Sequence, residues 1–249
     1  MQRYKGIIAY DGSCFSGYQV QPNKRTVQSE LERVLAKMHK GSQVKVAASG
    51  RTDAGVHAMG QVIHFDSPLA IPEGKWATAL NSLLPDDISI VSVEHVSESF
   101  HARFDAAGKE YRYQLLQAPA RDPFLRKYAY HYPYPLNLEA MKQASNYFLT
   151  GPHDYTSFCS AKTEVKDKVR TIKDIEFITN GQMLTLRFIG NGFLYNMVRI
   201  LVGTLLEVGC GERSPDEMPA ILEKKDRSAA GKTAPAHGLY LWKVFYPLS

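Results

Sequence analysis

Residues 4–10 form an apolar-rich run that reads as a strand and stops at Asp11-Gly12, a turn pair. The period then lengthens. Val27, Leu31, Val34, Leu35 and Met38 share one face of a predicted helix, with Thr26 as its N-cap and Gly41 as its end. Alternation returns over residues 44–48, where Val44, Val46 and Ala48 face away from Gln43, Lys45 and Ala47. It returns again where Met59, Gln61, Ile63 and Phe65 alternate with Gly60, Val62, His64 and Asp66. A helix starting at Pro72 aligns Trp76, Leu80, Leu83 and Leu84, and residues 88–96 are a β-branched strand. The order is β-α-β-β-α-β, the split βαβ pattern.

The second half repeats that order. Residues 110–117 predict a strand and 138–149 a helix, while 169–178 and 183–189 form a hairpin about Asn180-Gly181. An apolar helix follows over 193–208, then a short helix from Ser214-Pro215 with capping-box spacing to Glu217, then a strand over 239–246. The expected architecture is therefore α+β: two ferredoxin-like units with adjoining antiparallel sheets and a central cleft. The expected boundary lies between residues 1–105 and 106–249, and the duplication is one of pattern rather than of residue identity.

Composition narrows the class. With 249 residues, 44% of them apolar, the chain is long enough to bury a full core. A net charge of +5 permits a polyanionic partner without establishing one. The three cysteines, Cys14, Cys159 and Cys210, have neither zinc-ligand nor redox spacing, which suggests free thiols in a reducing, cytoplasmic setting. The histidines show no ligand spacing either, so no metal is expected. No apolar segment has signal-peptide or membrane-span character, so no membrane partner is expected.

Candidate chemistry lies in a few places. The loop Ser49-Gly50-Arg51-Thr52-Asp53-Ala54-Gly55-Val56-His57 sets a small acid–base group between two glycines. By itself it reads as an ordinary hairpin loop in which Asp53 bonds its own backbone. Arg199 sits in a helix that is apolar almost all round, where a guanidinium needs an acceptor. That acceptor is either a carboxylate, which it would hold ionised, or a backbone carbonyl through which it would tether the two halves. Tyr111, Tyr113 and Leu115 share one strand face; such tyrosines pack in a core, or line a cleft and stack on a base. Two long segments, RDPFLRKYAYHYPYP (121–135) and GPHDYTSFCSAKTEVKDKVR (151–170), interleave basic and aromatic residues in a way that suits RNA.

The string GRTDAGVHA (50–58) resembles the signature of the tRNA pseudouridine synthase A family. So do YDGSCFSGYQVQPNKRTVQ (10–28), FHARF (100–104), KEYRY (109–113), SFC (157–159) and FLYNMVR (193–199), in the family's order. Tyr18 stands where that family commonly has Trp, and Tyr155 where it commonly has Phe. The resemblance implies a homodimer that isomerises uridine to pseudouridine at positions 38, 39 and 40 of the tRNA anticodon stem-loop, with no metal or organic cofactor. It assigns Asp53 as catalytic nucleophile, Tyr111 as the partner stacked on the target base, Arg199 as the partner of Asp53, and Arg51 as an RNA contact. The alternative is a non-catalytic RNA-binding protein built from ferredoxin-like modules. Against it, no RNP-type string occurs on the expected strands.

Overall fold

The computed structural model describes residues 1–247. In chain order it runs β1 (Gln2–Tyr10), α1 (Val27–Met38), β2 (Ala47–Ala48), β3 (His57–Ser67), α2 (Glu73–Asn81), β4 (Ile88–Val96), β5 (Gly108–Leu116), β6 (Tyr130–His131), α3 (Leu138–Asn146), β7 (Pro152–Asp154), β8 (Val169–Asn180), β9 (Met183–Gly190), α4 (Met197–Gly209), α5 (Met218–Lys224) and β10 (Leu239–Phe245). The chain divides into two compact units, residues 1–107 with the strand from Tyr240, and residues 108–239. The last strand thus groups with the first unit. There Tyr240 and Leu241 pair in parallel with His57 and Ala58, and the Ala107 amide donates to the Phe245 carbonyl at 2.8 Å.

In the first unit β1 is central, antiparallel to β3 on one side and to β4 on the other. Its alternation is the one the sequence predicts, with Tyr4, Gly6, Ile8 and Tyr10 buried. Both ladders shift register near the Tyr10 end, between Ile8 and Tyr10 against β3 and between Ile7 and Ile8 against β4. Such irregularities increase local twist and re-aim side chains. Tyr4, Phe65 and Trp76 pack ring against ring at 4.8–5.7 Å between centroids. α1 begins where the sequence places it: the Thr26 hydroxyl accepts from the Ser29 amide and the Ser29 hydroxyl accepts from the Thr26 amide, a reciprocal cap.

The predicted strand over 44–48 shrinks to Ala47–Ala48. The Val46 amide is taken by the Glu32 carboxylate of α1 at 3.1 Å instead of by a neighbouring strand, although Val44 and Val46 still bury their side chains. β3 is covered on both faces, so its alternation does not mark a solvent side.

In the second unit β9 lies between β5 and β8, antiparallel to both, and β7 extends the edge of β8. The β8–β9 hairpin turns through Gly181-Gln182, one residue beyond the expected centre. α3 and α4 pack together, and Phe148, Tyr155 and Phe158 form an aromatic cluster with centroids 5.2–6.2 Å apart. α4 starts four residues later than the apolar pattern suggests because Asn196 is left-handed (φ +62°), which breaks helical geometry before Met197. The capping box at Ser214 and Glu217 forms as expected, on a short 3-10 turn that leads into α5. The chain is mixed α/β with mostly antiparallel pairing; β3–β10 and β5–β6 are parallel.

Candidate active site

The 49–56 loop is held in several ways within the first unit. Gln61, fully buried on β3, donates to the Gly50 carbonyl at 2.8 Å and accepts from the Ser49 hydroxyl at 2.6 Å. Thr52 points inward, its hydroxyl 2.8 Å from the phenol of Tyr10, and its carbonyl accepts from the Tyr18 amide at 3.0 Å. The Val56 amide then donates to the Asp53 carbonyl at 3.1 Å, closing a turn whose third residue, Gly55, has φ +78°. Burial pushes the Tyr10 phenol far above its usual range, opposed by its bond to Thr52, so Tyr10 stays a neutral hydrogen-bonding group.

On the other side of the loop, the Gly12 amide donates to His57 Nδ1 at 3.0 Å. The Asp11 carboxylate lies 3.2 Å from the same nitrogen, and the His57 ring stacks on Tyr240 at 4.6 Å. Gly12 lies so close to the loop that a Cβ there would stand 2.0 Å from the Val56 carbonyl oxygen. Thr52 is thus anchored inward between two residues that are not: Arg51 is exposed and Asp53 half-buried. A buried residue flanked by a cation and a carboxylate is the arrangement a loop needs to present both at a fixed spacing.

The other two predicted residues belong to the second unit. Tyr111, on β5, is 9% exposed and meets Phe193 edge to face at 5.1 Å. Its neighbour on the same face, Tyr113, is fully buried and donates to the Pro235 carbonyl at 2.8 Å. Arg112, on the opposite face, pairs with Glu110 at 2.7 Å.

Arg199 is half-buried. Along α4 every residue is buried except Arg199 and Glu207. Arg199 Nε donates to the Ala234 carbonyl at 2.7 Å and Nη1 to Asn196 Oδ1 at 2.8 Å. The carbonyl it bonds lies inside its own unit, so this contact ties α4 to the segment around Ala234 and not one half of the chain to the other. Two residues that pattern reading passed over complete it. Thr204 accepts from the Gly231 amide at 2.9 Å and Glu207 from the Lys232 amide at 3.0 Å. Together with Arg199 they fasten the segment 230–234 along the helix. The signal was available: these are the polar positions of an otherwise apolar helix, and such residues need partners.

The structure therefore brings Arg51 and Asp53 together in one loop, and places Tyr111 and Arg199 in the other unit. Among the described residues, no group of three His, Cys, Asp or Glu side chains could hold a metal ion, and no helix is long and apolar enough to cross a membrane.

Comparison with known proteins gives these features a setting. A family model described as tRNA pseudouridine synthase matches residues 7–105 and 147–247. The chain belongs to that family, whose members are isomerases. It is 58% identical over 246 residues to "tRNA pseudouridine synthase A 1" of Bacillus cereus, covering 99% of each chain. It is 60% identical to "tRNA pseudouridine synthase A" of Anoxybacillus flavithermus, again over 99% of each, and 60% identical to its namesake in a Geobacillus species, over 98% of each. Among solved structures, it is similar to a chain of the archaeal box H/ACA Nop10–Cbf5 complex at 14% identity and a TM-score of 0.35, over 91% of this chain and 59% of that one.

Proposed function

We propose that this isomerase converts uridine to pseudouridine at positions 38, 39 and 40 of the tRNA anticodon stem-loop, with Asp53 as its catalytic carboxylate and no metal or organic cofactor. The observation that carries the reading is the loop GRTDAGVHA, within a chain that matches relatives named as tRNA pseudouridine synthases from end to end. The anchoring of Thr52 by Tyr10 supports it, since it holds a half-buried Asp53 where a substrate can reach it.

The reaction is an isomerisation. The uracil leaves its N-glycosidic bond, turns while bound, and rejoins the ribose through carbon. A carboxylate serves it either by adding covalently to ribose or base, or by taking a ribose proton to give a glycal. In this reading Arg199 keeps Asp53 ionised, because an adjacent guanidinium favours the charged carboxylate. Tyr111 stacks on the extruded base and Arg51 contacts the RNA near it. Extruding a stem uridine costs about a few kcal/mol, which stacking and phosphate contacts offset.

In the first unit β1 lies between β4 and β3, and both β2 and β10 pair with β3; the β4-β1-β3-β2 part of this arrangement supports its reading as a ferredoxin-like fold. The assignment extends to a homodimer acting in the cytoplasm, with residues 1–105 and 106–249 as two halves that repeat one pattern of elements. The test uses unmodified tRNA tritiated at the uracil carbon that loses its hydrogen. Wild-type protein is expected to release the label, and Asp53→Ala to bind tRNA without releasing it. Equal release by the variant removes Asp53 from the chemistry, and tRNA binding without release by the wild type leaves the RNA-binding alternative.

A further inference from the structure

A cavity of about 620 Å³ opens within the second unit, between the end of β5 and the segment 119–131. This volume falls in the range of small-molecule sites, roughly 300–1,000 Å³. Its floor is apolar: Leu116 and Ala129 are buried and Leu125 packs against them. One wall is fixed by backbone, because Tyr130 and His131 pair in parallel with Leu115 and Leu116, and the Tyr132 amide donates to the Leu116 carbonyl at 2.9 Å. His131 Nε2 lies 2.8 Å from the Ala118 carbonyl, an acceptor only, so that nitrogen carries the proton.

The charges at the rim differ from the ion-paired arginines elsewhere in the molecule. Arg3, Arg25, Arg187 and Arg213 each pair with a carboxylate. Arg121 and Arg126 are exposed at the cavity and neither forms an ion pair among the described residues. The one acid in the lining, Asp122, accepts from the Phe124 amide at 2.7 Å and forms no ion pair with either guanidinium among the described residues, so two cations and one carboxylate leave the rim net positive. Arg126 is steadied by the Pro123 carbonyl, so its position is set without its charge being neutralised. An apolar floor beneath a net-positive rim with two exposed guanidiniums is complementary to a nucleotide, with a flat base and an anionic phosphate on one small molecule.

We propose that this cavity receives an unpaired nucleotide of the substrate RNA, other than the uridine being isomerised, with its base on the Leu116–Leu125 floor and its phosphate between Arg121 and Arg126. The inference rests on the tRNA-modifying reading above and adds a second point of RNA attachment to it.

The test compares full-length wild type with Arg121→Gln/Arg126→Gln and with the charge reversal Arg121→Glu/Arg126→Glu, by tRNA binding across a salt series. Both side chains are exposed, so the variants fold and melt as the wild type does. Two phosphate contacts predict a salt slope smaller by about 2 in the Gln variant, an affinity lower by about 10-fold, and a greater loss in the Glu variant. Free uridine monophosphate distinguishes the source of the ligand. No displacement of tRNA by micromolar nucleotide supports a site for the polymer, and displacement overturns it in favour of a free nucleotide. Tritium release by the wild type is measured in the same preparations. Release together with unchanged variant affinity and slope overturns this proposal alone; absence of release and of tRNA binding overturns the enzyme reading and this proposal with it.

Discussion

The loop 49–56 and the segment 119–131 both carry arginines, but they are built in opposite ways. In the first, Ser49, Thr52 and Val56 are buried and bonded to Gln61, Tyr10 and the Asp53 carbonyl, so the backbone around Asp53 has few ways to move. In the second, Arg121, Phe124 and Arg126 project outward, Phe124 with 84% of its surface exposed, and the guanidiniums form no ion pair among the described residues. Chemistry on a single bond needs a reacting group held to within a fraction of an ångström. Recognition of a charged polymer needs uncompensated charge that meets its partner only on binding. The first region spends hydrogen bonds on geometry and the second leaves charge available.

That contrast breaks first at Gly12. A methyl group there meets the Val56 carbonyl at 2.0 Å, which side-chain rotation cannot relieve. Gly12→Ala is expected to cost about 3 kcal/mol or more of stability, read as a lowered urea midpoint, with label release falling alongside it. A midpoint unchanged from wild type would mean that the close approach between the 11–12 segment and the loop is dispensable.

Acid probes the same unit through His64, on β3 and 7% exposed. Burial lowers its pKa from 6.5 to about 4, with His101 and Arg3 adding to the effect, and its Nδ1 accepts from the Ala102 amide at 3.1 Å. The unfolded chain therefore binds a proton between about pH 6.5 and pH 4 that the folded chain refuses. Stability falls as pH drops through that window, by about 3 kcal/mol, and the contribution levels off below it. Urea titrations at pH 7 and pH 4.5 are expected to show a smaller loss in His64→Gln than in wild type. Equal losses would remove His64 as the source.

A smaller effect is expected from Tyr10→Phe. Removing the phenol oxygen strands the Thr52 hydroxyl, at a cost of about 1–2 kcal/mol. Because Thr52 adjoins Asp53, label release should fall about tenfold while tRNA affinity holds. A stability loss with full turnover would make the Tyr10–Thr52 bond a support for the fold and not for the site.

Local chemistry explains which features were legible from the residues. The Thr26 cap, β4 over Ile88–Val96 and the Ser214–Glu217 box appear where pattern reading put them, because each depends on neighbours within a few positions. Three of the departures from it show why other features were not. The 44–48 strand lost its ladder to Glu32, a side chain on a preceding helix. The start of α4 moved because Asn196 turned left-handed, which hydrophobic periodicity does not register. The last strand grouped with the first unit because its partner, His57–Ala58, lies about 180 residues away in the sequence.

The candidate site divides along the same line. The 50–58 string carries the family resemblance, and through that resemblance the proposal of Asp53 as the catalytic carboxylate, without tertiary information. Burying Thr52 against Tyr10, placing Gly12 under Val56, and fastening 230–234 along α4 through Arg199, Thr204 and Glu207 were decided only by the fold. Periodicity records which face of an element is apolar. Which distant polar group satisfies a buried donor or acceptor is settled only when the elements pack, because burial makes an unpaired group costly and selects the partner that removes that cost.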